Sequence, residues 1–121
     1  MKRRLTEGFR SLIVWQESKQ LTLKIYRLVK KFPKEELFAL TSQMRRAASS
    51  AMANIAEGSA MSTKAHQHAY YVRARGSIME IDNFAELAFE LQYITQGEFD
   101  DISDHCARIV HLLKKLIGSQ S

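Results

Sequence analysis

The chain has 121 residues, a formal net charge of +5 and 45% hydrophobic residues, enough for one domain with a single core of three or four helices and too little for two independent cores. One Pro and five Gly are few, and Ala, Leu, Lys, Arg and Glu are used heavily, a balance that favours helices over strands and turns. Cys106 is the only cysteine, so an internal disulfide is excluded and the thiol suits a reducing compartment.

No run approaches the ~20 apolar residues of a membrane span. After the Met1–Arg4 start, Glu7 and Arg10 intervene and the apolar run Leu12–Trp15 is too short for a signal peptide. The expectation is a soluble, cytoplasmic protein of one domain over 1–121, with a basic N-terminal arm over 1–10 and a polar tail over 118–121. The charge is unevenly spread. Residues 1–46 carry twelve Lys or Arg against four acids, whereas residues 80–101 carry seven acids and no base. The two ends either attract each other, within or between subunits, or the basic one faces a polyanion.

In the first helical segment Leu21, Ile25, Leu28 and Phe32 recur at steps of four and three, with Trp15 and Val29 beside them, and Pro33 ends the pattern. Pro33-Lys34-Glu35-Glu36 reads as the restart of a helix with acids in its first turn. The second segment turns Leu40, Met44, Ala47, Ala51, Asn54 and Gly58 inward, and Gly58, Ser59, Ser62 and Thr63 supply a stop, a connection and N-caps. The third runs over roughly 64–95 on Tyr70, Ala74, Ser77, Ile81, Phe84, Ala88 and Leu91 until Gly97 breaks it. The fourth carries Ile102, Cys106, Ile109, Leu113 and Leu116. Short connections between such segments predict an all-α, antiparallel up-down-up-down four-helix bundle.

From Ala47 to Ala60 the small residues point in every direction and Glu57 is the only formal charge. A helix without a charged outer face predicts cover from a second subunit, hence a homo-oligomer. On a wheel of 100° per residue, Gln43, Arg46, Ser50, Asn54 and Glu57 share an arc of about 80°, and Arg73, Ser77 and Glu80 repeat the arrangement on the third helix. An antiparallel turn near Met61 places Arg46 level with Ser77 or Glu80, and Arg73 level with Ser49 or Ser50. One reading is a structural network or subunit interface that fixes register. The other is an anion site built from Arg46, Arg73 and Asn54.

Other chemistry is thin. Glu-x-x-His pairs of di-iron bundles are missing, and His66 and His68, two apart, cannot chelate one metal from a regular helix. Asp100, Asp101, Asp104 and His105 resemble a metal cluster, yet they sit at a helix start where acids are favoured by the dipole. Cys106 lies on an apolar seam as a small hydrophobe. No catalytic, cofactor or metal residue is assigned. The basic residues remain: Lys2, Arg3 and Arg4 in the arm, and Lys24, Arg27, Lys31 and Lys34 on one face opposite Ile25 and Phe32. In one chain such a face is solvated, but in an assembly the patch is multiplied and weak phosphate contacts add up to nucleic-acid binding.

Four stretches carry a family resemblance: Phe32-Pro33-Lys34-Glu35-Glu36, Leu40-Thr41-Ser42-Gln43-Met44-Arg45-Arg46-Ala47-Ala48-Ser49-Ser50, Asn54-Ile55-Ala56-Glu57-Gly58 and Ala74-Arg75-Gly76-Ser77-Ile78-Met79-Glu80. In order and spacing they resemble the bacterial four-helix-bundle proteins first noticed as products of intervening sequences in 23S ribosomal RNA genes. The likeness covers nearly the whole chain, from Trp15-Gln16 onward, and departs where Met52 replaces a common proline. It implies a four-helix protomer assembled into a ring, typically a pentamer, in a family most of whose members have no demonstrated enzymatic activity. A distant relative of that family, the accessory protein of diversity-generating retroelements, works with nucleic acid and reverse transcriptase. The family's polar positions fall on Arg46, Ser50, Asn54, Glu57, Ser77 and Glu80. The expected activity is therefore binding of RNA or DNA as an accessory or scaffold factor. The alternative is a protein-interaction module whose basic first helix neutralises the acidic end of the third. A metal-dependent nuclease using Asp100, Asp101 and Asp104 ranks behind both.

Overall fold

The computed structural model describes residues 5–120. Four α-helices are present, α1 (Ile13–Leu28), α2 (Leu40–Ala60), α3 (Lys64–Glu90) and α4 (Gln96–Gln120), with two short 3-10 turns between α1 and α2, and no strand occurs among the described residues. Helix α1 packs on α2 and α4, and α3 likewise packs on α2 and α4. Each neighbouring pair runs antiparallel. Lys24 of α1 and Lys31 of the turn that follows it reach Asp101 and Glu98 of α4 in reverse order, Thr22 and Tyr26 face Ala48 and Arg45 of α2, and Phe89 stacks on Phe99 across the α3–α4 corner. The result is an up-down-up-down bundle.

Burial of one stripe per helix holds the bundle together. The fully enclosed side chains include Leu21 and Ile25 from α1, Met44 and Ile55 from α2, Ile78 and Ile81 from α3, and Ile109 and Leu113 from α4. The expected stripes hold at their centres and drift at their ends. Tyr71 and Ala85 are buried where the spacing favoured Tyr70 and Phe84, Ile55 takes the place given to Asn54, and Leu91 is exposed. An α-helix of 3.6 residues per turn slides past a strict seven-residue pattern by ~20° per heptad, which over the 27 residues of α3 moves the buried face by about one position.

The helix ends are set by side chains and one unusual backbone. Thr63 caps α3 by accepting the His66 N–H. Helix α3 stops short of the expected boundary because Gln92 adopts a left-handed conformation, φ 64°. The Tyr93 N–H then bonds the Ala88 carbonyl and the Gln92 N–H that of Phe89, a Schellman ending. Thr95 and Glu98 cap α4 reciprocally, Thr95 N–H to the Glu98 carboxylate and Glu98 N–H to the Thr95 hydroxyl. Gly97 therefore lies inside α4 rather than in the break.

Gly58 is likewise no stop: α2 continues to Ala60, and a Cβ at Gly58 would sit 2.8 Å from the Tyr71 ring. The glycine lets the third helix approach closely. The expected helix restart at Pro33 shrinks to a single 3-10 turn, Lys34–Glu36, and α2 begins at Leu40. Glu36 accounts for this separation by accepting both the Tyr93 hydroxyl at 2.7 Å and the Leu40 N–H. The detour leaves the Phe38 ring 92% exposed.

Part of the expected N-terminal arm is ordered as a 3-10 helix, Leu5–Ser11, packed on α1 and α2. Phe9 meets Trp15 edge-on at 5.0 Å, with Arg10 over the Phe9 ring. Lys2, Arg3 and Arg4 lie outside the described residues. No described helix is long and apolar enough to cross a membrane.

Candidate nucleic-acid interface

Helix α1 and the turn that follows it divide their cations between two neighbours. Glu17, Lys24 and Lys31, seven residues apart, face α4. Lys24 Nζ lies 3.0 Å from Asp101, Lys31 Nζ 2.6 Å from Glu98, and Glu17 pairs with Arg108 at 3.2 Å. The Lys31 ammonium, together with the Thr95 backbone, holds the Glu98 carboxyl below the ordinary carboxylate range. Two of the cations expected to meet phosphate, Lys24 and Lys31, are thus neutralised within the chain. Their partners are the acids that open α4, not the acidic end of α3.

His105 sits at the centre of this face. The spacing had placed it on a solvated cap, yet it is 3% exposed, with Nδ1 3.0 Å from Lys24 Nζ and Nε2 3.0 Å from Glu17 Oε1. An ammonium only donates, so Nδ1 accepts and the ring proton resides on Nε2, which donates to Glu17. Burial, reinforced by Lys24, pushes the imidazole below its usual range despite the Glu17 carboxylate. The histidine is a neutral structural bridge.

The other face of α1 is open. Leu23, Tyr26, Val29, Phe32, Pro33, Leu37 and Thr41 line a groove of about 420 Å3 between α1, the turn at Pro33 and α2, and Arg27, Lys30, Lys34 and Arg45 surround it. That size falls within the ordinary range for ligand clefts. None of these four cations forms an ion pair among the described residues, and no acid lines the groove. Arg45 instead lies over the half-exposed Tyr26 ring, 5.9 Å from its centroid. Of the cations expected on the first helix, Arg27 and Lys34 line this groove, and Arg27 also borders the cleft that holds Lys24, Lys31, Glu98 and Asp101. Lys30 and Arg45 were missed because each had to be placed against a turn and a second helix that spacing alone does not locate.

The polar strip of α2 and α3 is only partly drawn together. Asn54 Nδ2 donates to the Ser50 carbonyl and hydroxyl, and Ser77 Oγ donates to Ser50 Oγ at 3.2 Å. These three join the two helices. The register is deeper than a turn at Met61 implies, since Ser50 rather than Arg46 meets Ser77, consistent with Tyr71 packing on Gly58. Gln43, Arg46, Glu57, Arg73 and Glu80 are exposed, and Arg73 lies over Tyr70 at 4.8 Å instead of meeting Ser49 or Ser50. The guanidiniums of Arg46 and Arg73 do not converge on Asn54 through any contact in the structure.

Asp100, Asp101 and Asp104 are exposed, and no three His, Cys, Asp or Glu among the described residues are grouped to hold a metal ion. Cys106 is buried and its thiol is pushed up to about 12, chiefly by that burial, so it is a poor nucleophile.

No curated protein matches the sequence. Among solved structures, the chain is similar to a crystal structure of a protein with unknown function from the S23 ribosomal protein family of Bacteroides thetaiotaomicron. The TM-score is 0.81 and the identity 25%, over 88% of this chain and 96% of that one. The family model for the 23S rRNA-intervening sequence protein matches residues 10–115. With nearly the whole bundle inside that match, the chain belongs to the 23S rRNA-intervening sequence protein family.

Proposed function

We propose that this protein is a non-enzymatic, homo-oligomeric factor of the cytoplasm that binds RNA or DNA as an accessory or scaffold. The observation that carries the reading is the groove rim: Arg27, Lys30, Lys34 and Arg45 stand around one open cleft with no acid among its lining residues. Such a cluster attracts a polyanion, and repetition in an assembly multiplies the contacts.

Assembly is supported by surface that one chain leaves in water. Helix α2 exposes Ser49, Ala53 and Ala60 on one face with Arg46 and Glu57, and Ile13 and Met79 are 64% and 57% exposed. The family resemblance points to a pentameric ring. The polar strip residues Arg46, Glu57, Arg73 and Glu80, exposed in the single chain, are then contacts between subunits. A second reading, a protein-interaction module without nucleic-acid binding, draws on the neutralisation of Lys24 and Lys31 by Asp101 and Glu98.

Binding to a generic RNA measured at two salt concentrations separates the readings. Binding that weakens steeply with salt supports the first, and no binding in dilute buffer favours the second. The mass of the native particle tests the assembly. A single-copy species at high protein concentration contradicts it.

A further inference from the structure

We propose that the α1–α2 groove seats unpaired bases of a single-stranded nucleic acid, a step that rests on the nucleic-acid reading above and specifies its substrate. A duplex shows phosphates to a basic surface but keeps its base faces stacked inside, so duplex binding needs only cations. This groove offers more. Its floor is apolar, made by Leu23, Val29, Phe32 and Leu37, and its wall includes the accessible Tyr26 ring under the Arg45 guanidinium.

Next to Leu37 the Phe38 ring stands almost wholly in solvent, held out by the detour that Glu36 anchors. A solvated aromatic beside a cation-rimmed apolar cleft is the combination that binds single strands: bases stack on rings and in the cleft while phosphates meet Lys and Arg. A docked peptide of mixed charge would set carboxylates against the rim but would leave the absence of any lining acid unused, and a purely apolar partner helix would strand four cations. Charge complementarity therefore selects a phosphate-bearing ligand, and the exposed ring faces select one whose bases are free.

The test uses the full-length chain and labelled oligouridine, with an RNA duplex carrying the same number of phosphates, titrated by fluorescence anisotropy. Tyr26→Leu keeps the apolar wall and removes the ring. Lys114→Gln, on exposed α4, serves as the charge control, and thermal unfolding checks that each variant folds. The expected result is tighter binding of oligouridine than of duplex, an affinity for oligouridine about ten-fold lower in Tyr26→Leu with duplex binding unchanged, and wild-type behaviour in Lys114→Gln. A strand carrying 4-thiouridine is expected to crosslink within residues 23–45.

Equal binding of both nucleic acids with no effect of Tyr26→Leu, or crosslinks confined to α3 and α4, overturns the groove proposal while the nucleic-acid reading stands. Absence of binding to either form in dilute buffer overturns both.

Discussion

The two flanks of α1 and the turn that follows it are both basic and put their cations to different uses. Toward α4, Lys24 and Lys31 meet Asp101 and Glu98, and the buried His105 ties Glu17 to Lys24. Toward α2, Arg27, Lys30, Lys34 and Arg45 stand around an apolar cleft without a single acid. The first side spends its charge on holding two helices together, and the second leaves it for a ligand. A basic helix face is thus not one surface. Its meaning depends on which neighbour supplies the acids, and the acids paired with Lys24 and Lys31 come from the start of α4.

Charge removal separates the two flanks of α1 most strongly. Replacing Arg27, Lys30 and Lys34 together by Gln is expected to lower single-strand affinity by roughly a hundred-fold near 0.1 M salt, from three lost phosphate contacts. Removing Lys24 and Lys31 is expected to leave affinity almost unchanged. Filter binding or anisotropy reads both.

Stability divides the other way. His105→Ala is expected to lower unfolding free energy by about 2–3 kcal/mol, because it opens a cavity and strips partners from Glu17 and Lys24, with nucleic-acid affinity intact. The same residue sets a pH dependence. Its pKa is lowered on folding, so the unfolded chain takes up the proton first and stability falls as pH drops below the imidazole's ordinary value of ~6.5. In His105→Gln the decline between pH 7 and 5 is expected to flatten, as followed by thermal unfolding.

Smaller effects sharpen the picture. Glu98→Ala, which removes both the reciprocal cap and the Lys31 pair, is expected to cost about 1 kcal/mol. Lys31→Gln, losing only an exposed pair, is expected to cost less than about 1 kcal/mol. Ser18→Ala is expected to be neutral or slightly stabilising in denaturant titration, since the buried Ser18 hydroxyl has no hydrogen-bond partner among the described residues.

Much of the fold was legible in the sequence because it follows from periodicity. Steps of three and four located all four helices, and Cys106 fell on the buried seam as expected. What spacing could not show was backbone geometry without a characteristic residue. Gln92 ends α3 in a conformation usually left to glycine, while Gly58 and Gly97 sit inside helices. Position on a helical wheel also does not reveal the neighbour. Lys24, Arg27, Lys31 and Lys34 share a face by spacing, but α4 claims two of them. His105 looked like part of a solvated acidic cap because Glu17 and Lys24, its partners, are more than eighty residues away in the chain.

The most direct test of the account is the salt dependence of oligouridine binding in two variants that each lose lysine or arginine charge, one on each side of α1. The slope of log affinity against log salt is expected to shrink by about two when Arg27, Lys30 and Lys34 become Gln, at ~0.7 per phosphate contact, and to stay at the wild-type value when Lys24 and Lys31 become Gln. An equal reduction in both, or a reduction only in the Lys24 and Lys31 variant, would contradict it.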